Sequence, residues 1–184
     1  MIVDPLLDRR LAARQKPSAQ AVVMRQSWRD LLFMHWEVDS AEIQRSLPDG
    51  LTVDTFSGSA FVGLVPFLMD RVRPVGFSAV PWLSKFPEMN VRTYVVGPDG
   101  EPGVWFYSLD ASRKLAVDIA KALFHLPYVW SQMHHTNENG SVNYRCMRRN
   151  GGEEVRFRYK GEENTKTAEP GSFEFFLLER YFLY

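Results

Sequence analysis

Apolar and polar positions along the chain alternate mostly with the period of short strands. Residues 51–56 (LTVDTF) alternate in this way, and residues 59–73 form a longer, largely apolar run after a Ser-Gly turn. Three more runs, YVWSQMHH, SVNYRCMRR and EEVRFRYK, follow later, and an Asn-Gly-Gly turn joins the last two. Because no strand–helix–strand repeat separates these runs, the order predicts a mainly β fold: an antiparallel sheet, a sandwich or a barrel.

The most informative pattern is in the middle of the chain, in FPEMNVRTYV at residues 86–95. As a strand, this segment places Glu88, Asn90, Arg92 and Tyr94 on one side. The turn GPDGEPG and the strand VWFYSLDA follow, which predicts an antiparallel hairpin. The polar side is either a solvated strand face or the lining of a pocket, and the pattern alone leaves both open.

Two segments carry helix signals. Residues 39–47 begin with Asp39, which can cap the first amides, and Glu42 completes a capping box. Residues 112–124 carry an apolar stripe at helical spacing. Residues 22–38 are mixed, because their first half fits helical periodicity and their second half (LLFMHWEV) reads as a strand.

The chain of 184 residues suits one domain with a sizeable core. The charged residues 1–18 predict a loosely attached N-terminal arm, which leaves residues 19–184 as a single domain. Residues 172–184 (SFEFFLLERYFLY) are strongly apolar, unlike an ordinary frayed terminus. We therefore expect this segment either to be the end of a truncated domain or to pack into the body.

Charge and cysteine content narrow the function classes. Lys plus Arg and Asp plus Glu are 22 each, so the formal net charge is zero, which argues against a nucleic-acid partner. The single cysteine, Cys146, fits a reducing compartment and is expected to be a small buried group. No segment resembles a signal peptide or a membrane span, so we expect a cytoplasmic protein with no membrane contact.

No familiar metal or cofactor motif is present in the sequence. No Cys/His/Asp cluster has metal-ligand spacing, and neither a Gly-rich phosphate loop nor a Gly-x-Ser-x-Gly elbow occurs. His134 and His135 point to opposite sides of a strand and do not form a chelating pair. His35, between bulky apolar residues, is interpreted as structural. We expect no metal and no cofactor.

Several segments together resemble the YqjF-like bacterial proteins of unknown function, in the acetoacetate decarboxylase-like superfamily. They are, in this order, WRDLLFMHW, LPDGLTVDTFSGSAFVGLVPFLM, FPEMNVRTYV, PGVWFYSLDA, LFHLPY and FLLERYFLY. The resemblance covers roughly residues 20 to 184. It implies a closed antiparallel β-barrel with two or three flanking helices around a central cavity.

The resemblance does not extend to the catalytic residue of the decarboxylase. That enzyme forms a Schiff base through a lysine pair that follows an aromatic-proline step after a helix. In HLPYVW, Tyr128 and Val129 stand at the matching positions, and a phenol cannot form an imine. The nearest lysines, Lys114 and Lys121, belong to the preceding predicted helix. We therefore predict no acetoacetate decarboxylase activity, and no nucleophile is identified.

Glu88 resembles one of the functional glutamates on the strands of the decarboxylase cavity. Arg92 lies four residues further, about 13 Å away between Cα atoms, and suits a carboxylate. We expect the cavity to bind a small, partly apolar organic acid. The candidate ligand-binding residues are Glu88, Asn90, Arg92, Tyr94, Tyr107, His125 and Tyr128. The alternative is a structural or interaction module that forms a homo-oligomer or docks a partner chain.

Overall fold

A computed structural model describes residues 4–15, 22–78, 84–118, 126–162 and 166–184. The helices described in full are α1 (Leu7–Gln15), α2 (Ser40–Ser46) and α3 (Phe173–Leu178), and residues 114–118 are also helical. The first six strands are β1 (Met24–Arg29), β2 (Met34–Val38), β3 (Thr52–Val53), β4 (Ala60–Pro74), β5 (Phe86–Val96) and β6 (Pro102–Ala111). The last four are β7 (Tyr128–Glu138), β8 (Ser141–Arg148), β9 (Val155–Lys160) and β10 (Phe182–Leu183).

The strands form one large mixed sheet, which confirms the predicted β-dominated class. The main path runs β1-β4-β5-β6-β7-β8-β9, with β2 on β4, β3 on β5 and β10 on β6. Two pairings are parallel, β6 with β7 and β6 with β10, because the chain crosses over between these strands instead of turning back in a hairpin. Within the described ranges the sheet is not closed, so the expected closed antiparallel barrel is corrected to an open, mixed sheet.

Strand β5 occupies a central position and is covered on both faces. It pairs with β4 on one side and with β6 on the other. Met89 packs against Tyr144 and Cys146 of β8 on one face. The Tyr144 hydroxyl also donates a hydrogen bond to the backbone oxygen of Glu88, at 2.7 Å. On the other face Glu88, Asn90, Arg92 and Tyr94 are all buried, so the polar row of β5 is not a solvated strand face. Cys146 is buried as expected.

The helix predictions hold where the structure describes the chain. The expected helix at 39–47 is α2, and the Asp39 carboxylate accepts hydrogen bonds from the amides of Ala41 and Glu42. Residues 114–118 are helical, and the rest of the helix expected to reach residue 124 lies outside the described residues. No helix in the described ranges has the length and apolar content that a bilayer crossing requires.

The mixed pattern at residues 22–38 corresponds to two strands in the structure. Residues 24–29 form strand β1, in which Trp28 lies opposite Met69 of β4. The second half of β4 extends beyond β2 and offers an unpaired edge, which β1 fills with ladder hydrogen bonds. Pairing with a distant strand has overridden a weak local preference.

A buried charge network ties α1 to the body, so residues 4–15 are not loosely attached. The Arg10 side chain is fully buried, and its guanidinium contacts Asp4 at 2.8 Å and Asp54 at 2.7 Å. Arg180 contacts the same Asp54 oxygen from the other side, at 2.5 Å. Both guanidiniums also lie over the ring of Phe176. The apolar segment at 172–184 thus packs into the body through Arg180 and α3.

We predict that Asp54→Asn destabilises the protein by about 3–5 kcal/mol, because Arg10 would then contact only the Asp4 carboxylate and Arg180 would lose the carboxylate that it contacts. Urea unfolding followed by circular dichroism measures the change. The matched control is Asp118→Asn, which removes a carboxylate from an exposed pair with Lys114 and should cost less than about 0.5 kcal/mol. Equal losses in the two variants would contradict a special contribution of Asp54.

Candidate functional site

A largely apolar cavity of about 380 Å³ lies on the face of β5 that carries Glu88 and Asn90. Strands β1, β4, β5, β6 and β7 contribute to its wall, and Leu183 of β10 contributes from the other side. The apolar wall includes Trp28, Phe67, Met69, Phe86, Phe106 and Leu109. The predicted pocket therefore exists, and its size suits a small organic molecule.

The Glu88 carboxyl group is the most perturbed acid of this cavity. Its side chain is almost fully buried, and burial raises its pKa from 4.5 to about 8. The Tyr128 hydroxyl donates a hydrogen bond to Glu88 Oε2 at 3.2 Å, which opposes that rise. Because the pKa lies above 7, the group is mainly a neutral carboxylic acid at pH 7. One oxygen accepts from Tyr128, and the other can donate a proton into the cavity.

Asn90 and Tyr128 supply the remaining polar groups that the sequence analysis had placed here. Asn90 is buried, and its Oδ1 has no hydrogen-bond partner among the described residues. Tyr128 begins β7, where parallel pairing sets it beside Leu109 of β6. Burial and the neighbouring Glu88 raise the pKa of the Tyr128 hydroxyl above its usual range, so it stays protonated. The cavity thus combines apolar walls with the uncharged hydrogen-bonding side chains of Glu88, Asn90 and Tyr128, and Gln26 of β1 also lines it.

Arg92 and Tyr94 continue the same face of β5 but do not line the cavity. The Arg92 guanidinium lies 5.2 Å above the Phe33 ring, and its Nη2 is 3.5 Å from the Tyr94 hydroxyl. That hydroxyl is 2.7 Å from Nε2 of His35. Burial, together with the Arg92 charge, lowers the pKa of His35 to about 4. His35 is therefore a neutral structural histidine at pH 7, as expected.

Among the described residues, no carboxylate contacts the buried guanidinium of Arg92. Arg10, Arg148 and Arg180 each contact an aspartate. In the part of the chain that the structure describes, Arg92 contacts none, and its Nε has no hydrogen-bond acceptor. Its aromatic contacts with Phe33 and Tyr94 offset only part of the cost of burying a cation.

Gly63 of β4 makes room for the cluster of His35 and Arg92. A Cβ atom at this position would come within 3.1 Å of His35 Nε2 and 3.5 Å of Arg92 Cγ. Neither this contact nor the contribution of β1 to the cavity wall was predicted from the sequence. A lone glycine inside an apolar strand was the available signal, because such glycines often mark a close approach.

Besides Arg92 and Tyr94, a third candidate residue, Tyr107, does not line the cavity. A β-bulge in β6 changes the register so that Val91 faces Ser108 while Arg92 faces Phe106. The extra residue, Tyr107, turns away, and its hydroxyl lies 2.6 Å from the Ser46 hydroxyl. Phe106 takes the cavity position instead. The other candidate, His125, lies outside the described residues.

The described residues offer neither a metal cluster nor a lysine in the cavity. No group of three or more His, Cys, Asp and Glu side chains in these ranges could hold a metal ion. The Lys114 amine is exposed and pairs with Asp118, and Lys121 lies outside the ranges that the structure covers. Tyr128, at the position of the decarboxylase lysine pair, lines the cavity.

The raised pKa of Glu88 predicts a pH-dependent stability. The unfolded chain ionises this group near pH 4.5, whereas the folded protein holds the proton up to about pH 8. The favourable contribution is therefore complete below pH 4.5 and is lost as the pH rises towards 8. Glu88→Gln, which stays neutral, should remove a fall of up to a few kcal/mol in the unfolding free energy across this window.

Urea unfolding at pH 5, 6, 7 and 8 measures this slope. Glu153→Gln, in the exposed turn before β9, is the control and should keep the wild-type slope. If wild type and Glu88→Gln lose stability equally over this range, the carboxyl group is not held protonated.

Solved structures with the same fold include acetoacetate decarboxylase-like proteins. An acetoacetate decarboxylase-like enzyme from Sphingomonas wittichii RW1 superposes with a TM-score of 0.54 at 16% identity, over 71% of this chain and 55% of that chain. The enduracididine biosynthesis enzyme MppR, complexed with pyruvate, superposes with a TM-score of 0.58 at 12% identity, over 84% and 63% of the two chains. These likenesses show the fold, and the chain spans little more than half the length of such proteins.

Sequence comparison shows the family. The uncharacterized protein YqjF of Bacillus subtilis (strain 168) is 38% identical over 164 residues, which cover 88% of this chain and 67% of that protein. The profile of the family DUF2071, described as uncharacterized conserved protein (COG2071), matches residues 25–184. The chain therefore belongs to this YqjF-like family, whose structural neighbours are acetoacetate decarboxylase-like enzymes.

Proposed function

We propose that the cavity binds a small, partly apolar organic acid and that Glu88 holds its carboxylate. One observation carries the proposal: a carboxyl group with a pKa of about 8 lies in an apolar cavity of about 380 Å³. A buried acid has a large desolvation cost, and such groups concentrate at functional sites. A structural core at this place would be more stable with an apolar side chain.

The preference for an acid follows from the protonation state of Glu88. Its Oε2 accepts from Tyr128, so the proton on the other oxygen is available to a ligand carboxylate. Asn90 adds an amide group to the same wall. Hydrogen bonds that involve one charged partner contribute about 1.5–3 kcal/mol each. The apolar wall then covers the rest of the ligand.

The unbalanced charge of Arg92 supports the same preference. Arg92 is two residues from Asn90 on one face of β5, about 7 Å between Cα atoms. A cation buried without a carboxylate creates a positive potential in its surroundings, and this potential favours a neighbouring anion over a neutral or cationic ligand. Arg92 is proposed to act through this charge, without lining the cavity.

We predict that hexanoate binds in the cavity and that Glu88→Met weakens binding at least tenfold, because the substitution removes the proton donor but keeps the size. Methionine-methyl NMR measures the binding, since Met24 and Met69 line the cavity whereas Met147 does not. The methyl signals of Met24 and Met69 should shift on binding, and that of Met147 should not. Hexan-1-ol should bind less tightly than hexanoate, and hexylamine least of all, because of the Arg92 charge.

Glu153→Met is the matched control for this experiment and should bind hexanoate like the wild type. Shifts at Met147 equal to those at Met69 would indicate non-specific binding. The alternative function is docking of a second copy of the chain. The observation behind it is that Leu178 and Leu183 are exposed, at 47% and 59%. If the alternative holds, the sedimentation coefficient rises with protein concentration, and Glu88→Met does not change this rise.

We predict that cyanoborohydride traps no keto acid on this protein, because an imine needs an amine and the described cavity residues include no lysine. The protein is incubated with pyruvate or acetoacetate and the reductant, and intact mass spectrometry reads the product. Tyr128→Lys, which restores an amine at the cavity wall, is the positive comparison. A stoichiometric adduct on one lysine of the wild type would contradict this prediction.

A further inference from the structure

A second concave region, separate from the cavity, lies where β5 begins, β6 ends and β7 runs past. It is an open groove of about 760 Å³, and only Phe86 lines both it and the cavity among the residues described for each. Its polar lining includes Arg29, Asp30, Lys85, Ser112, Arg113 and Arg149. A groove of this size holds a small molecule with several polar groups.

The charges along this groove are mostly of one sign. Asp30 is the one carboxylate among its described lining residues, and its carboxylate lies 2.9 Å from Nε2 of His135. Arg29 is paired with Asp70. Lys85, Arg113 and Arg149 have no carboxylate within 4 Å in the described ranges, so three cations in the groove are unpaired. Because the whole chain has zero net charge, this excess is a local feature.

The fold holds these cations together. Strand register places Glu88 of β5 opposite Ala111 of β6, and the amide of Ser112 then donates to the oxygen of Pro87, at 3.3 Å. Lys85 and Arg113 extend from the ends of these two paired strands. They are therefore neighbours in space, although 28 positions separate them in sequence by their numbering.

Arg149 reaches the groove from the end of β8 and is fixed by an aromatic platform. Its guanidinium lies 3.9 Å above the Trp130 ring. Trp130 is itself held, since its indole nitrogen donates to the backbone oxygen of Ser112 at 3.3 Å. A stacked arginine loses less conformational freedom when it binds an anion, because its side chain is already ordered.

We propose that this groove is a second binding site, for a small molecule that carries at least two negative charges as phosphate or carboxylate groups. Lys85, Arg113 and Arg149 supply the charge, and the planar guanidiniums can each form two parallel hydrogen bonds with such groups. Ser112 and His134 at the rim offer further donors. This site does not depend on the proposed function of the cavity.

Isothermal titration calorimetry with pyrophosphate and with citrate, at about 20 mM and 150 mM NaCl, tests the proposal, since screening should weaken binding at the higher salt concentration. In parallel, NMR follows the indole N–H signals. We expect binding of at least one anion at low salt, with a shift of the Trp130 indole signal. Pyrophosphate binding alone indicates a phosphate ligand, and citrate binding alone indicates a polycarboxylate. Binding of neither at low salt overturns the proposal.

Two double variants with the same change in charge locate the site. Arg113→Gln with Arg149→Gln should lower the affinity at least tenfold. Arg156→Gln with Arg158→Gln, on exposed positions of β9 that do not line the groove, should change it less than twofold. An equal loss of affinity in the two double variants would show general charge attraction and would overturn the proposed site. If a short oligonucleotide binds far more tightly than pyrophosphate, the groove is a nucleic-acid site and the small-molecule proposal is overturned.

Discussion

The burial of β5 on both faces is the constraint on which the rest of the structure depends. Strands β4 and β6 pair with the two edges of β5, β8 packs on the Met89 face, and the polar side chains on the other face are buried. A polar side chain on this strand must therefore find a partner, lose its charge or keep a charge without a counter-ion. Glu88 loses its charge, and Arg92 has no carboxylate in contact among the described residues. The same strand therefore presents a neutral acid and an unneutralised cation to one interior, an arrangement that a purely structural core has no reason to keep.

Aspartates balance the buried Arg10 and Arg180 and also the partly exposed Arg148, and these pairs make the three arginines part of the scaffold. Asp54 serves Arg10 and Arg180, whereas Asp110 receives two hydrogen bonds from Arg148 and one from Ser131. The first set holds α1 and α3 to the sheet, and the second holds the β7–β8 hairpin to β6. Each of these charges is already neutralised by a contacting aspartate. They differ in this respect from Arg92 and from the three groove cations, which have charge left for a ligand.

Much of the fold could be predicted from the sequence, because strand alternation, the Asp39 cap and the turns are local signals. The site could be predicted in part. Strand alternation put Glu88 and Asn90 on one face, the family resemblance added Tyr128, and all three line the cavity. Tyr107 could not be placed, since a single-residue bulge reverses its side and no residue type marks it. Nor could the contact of Arg92 with Phe33, which requires β2 to pack beside Gly63, roughly thirty residues away in the chain.

The position of Asp54 between Arg10 and Arg180 also orders events during synthesis. The three residues are separated by 44 and 126 positions in the chain. Arg10 leaves the ribosome early, and the Asp54 carboxylate can neutralise its guanidinium as soon as β3 pairs with β5. Arg180 is synthesised 126 positions after Asp54, and only then can α3 pack against the sheet. Until that moment Tyr94, Val104 and Phe106, which pack with Phe176 in the folded protein, lack this cover.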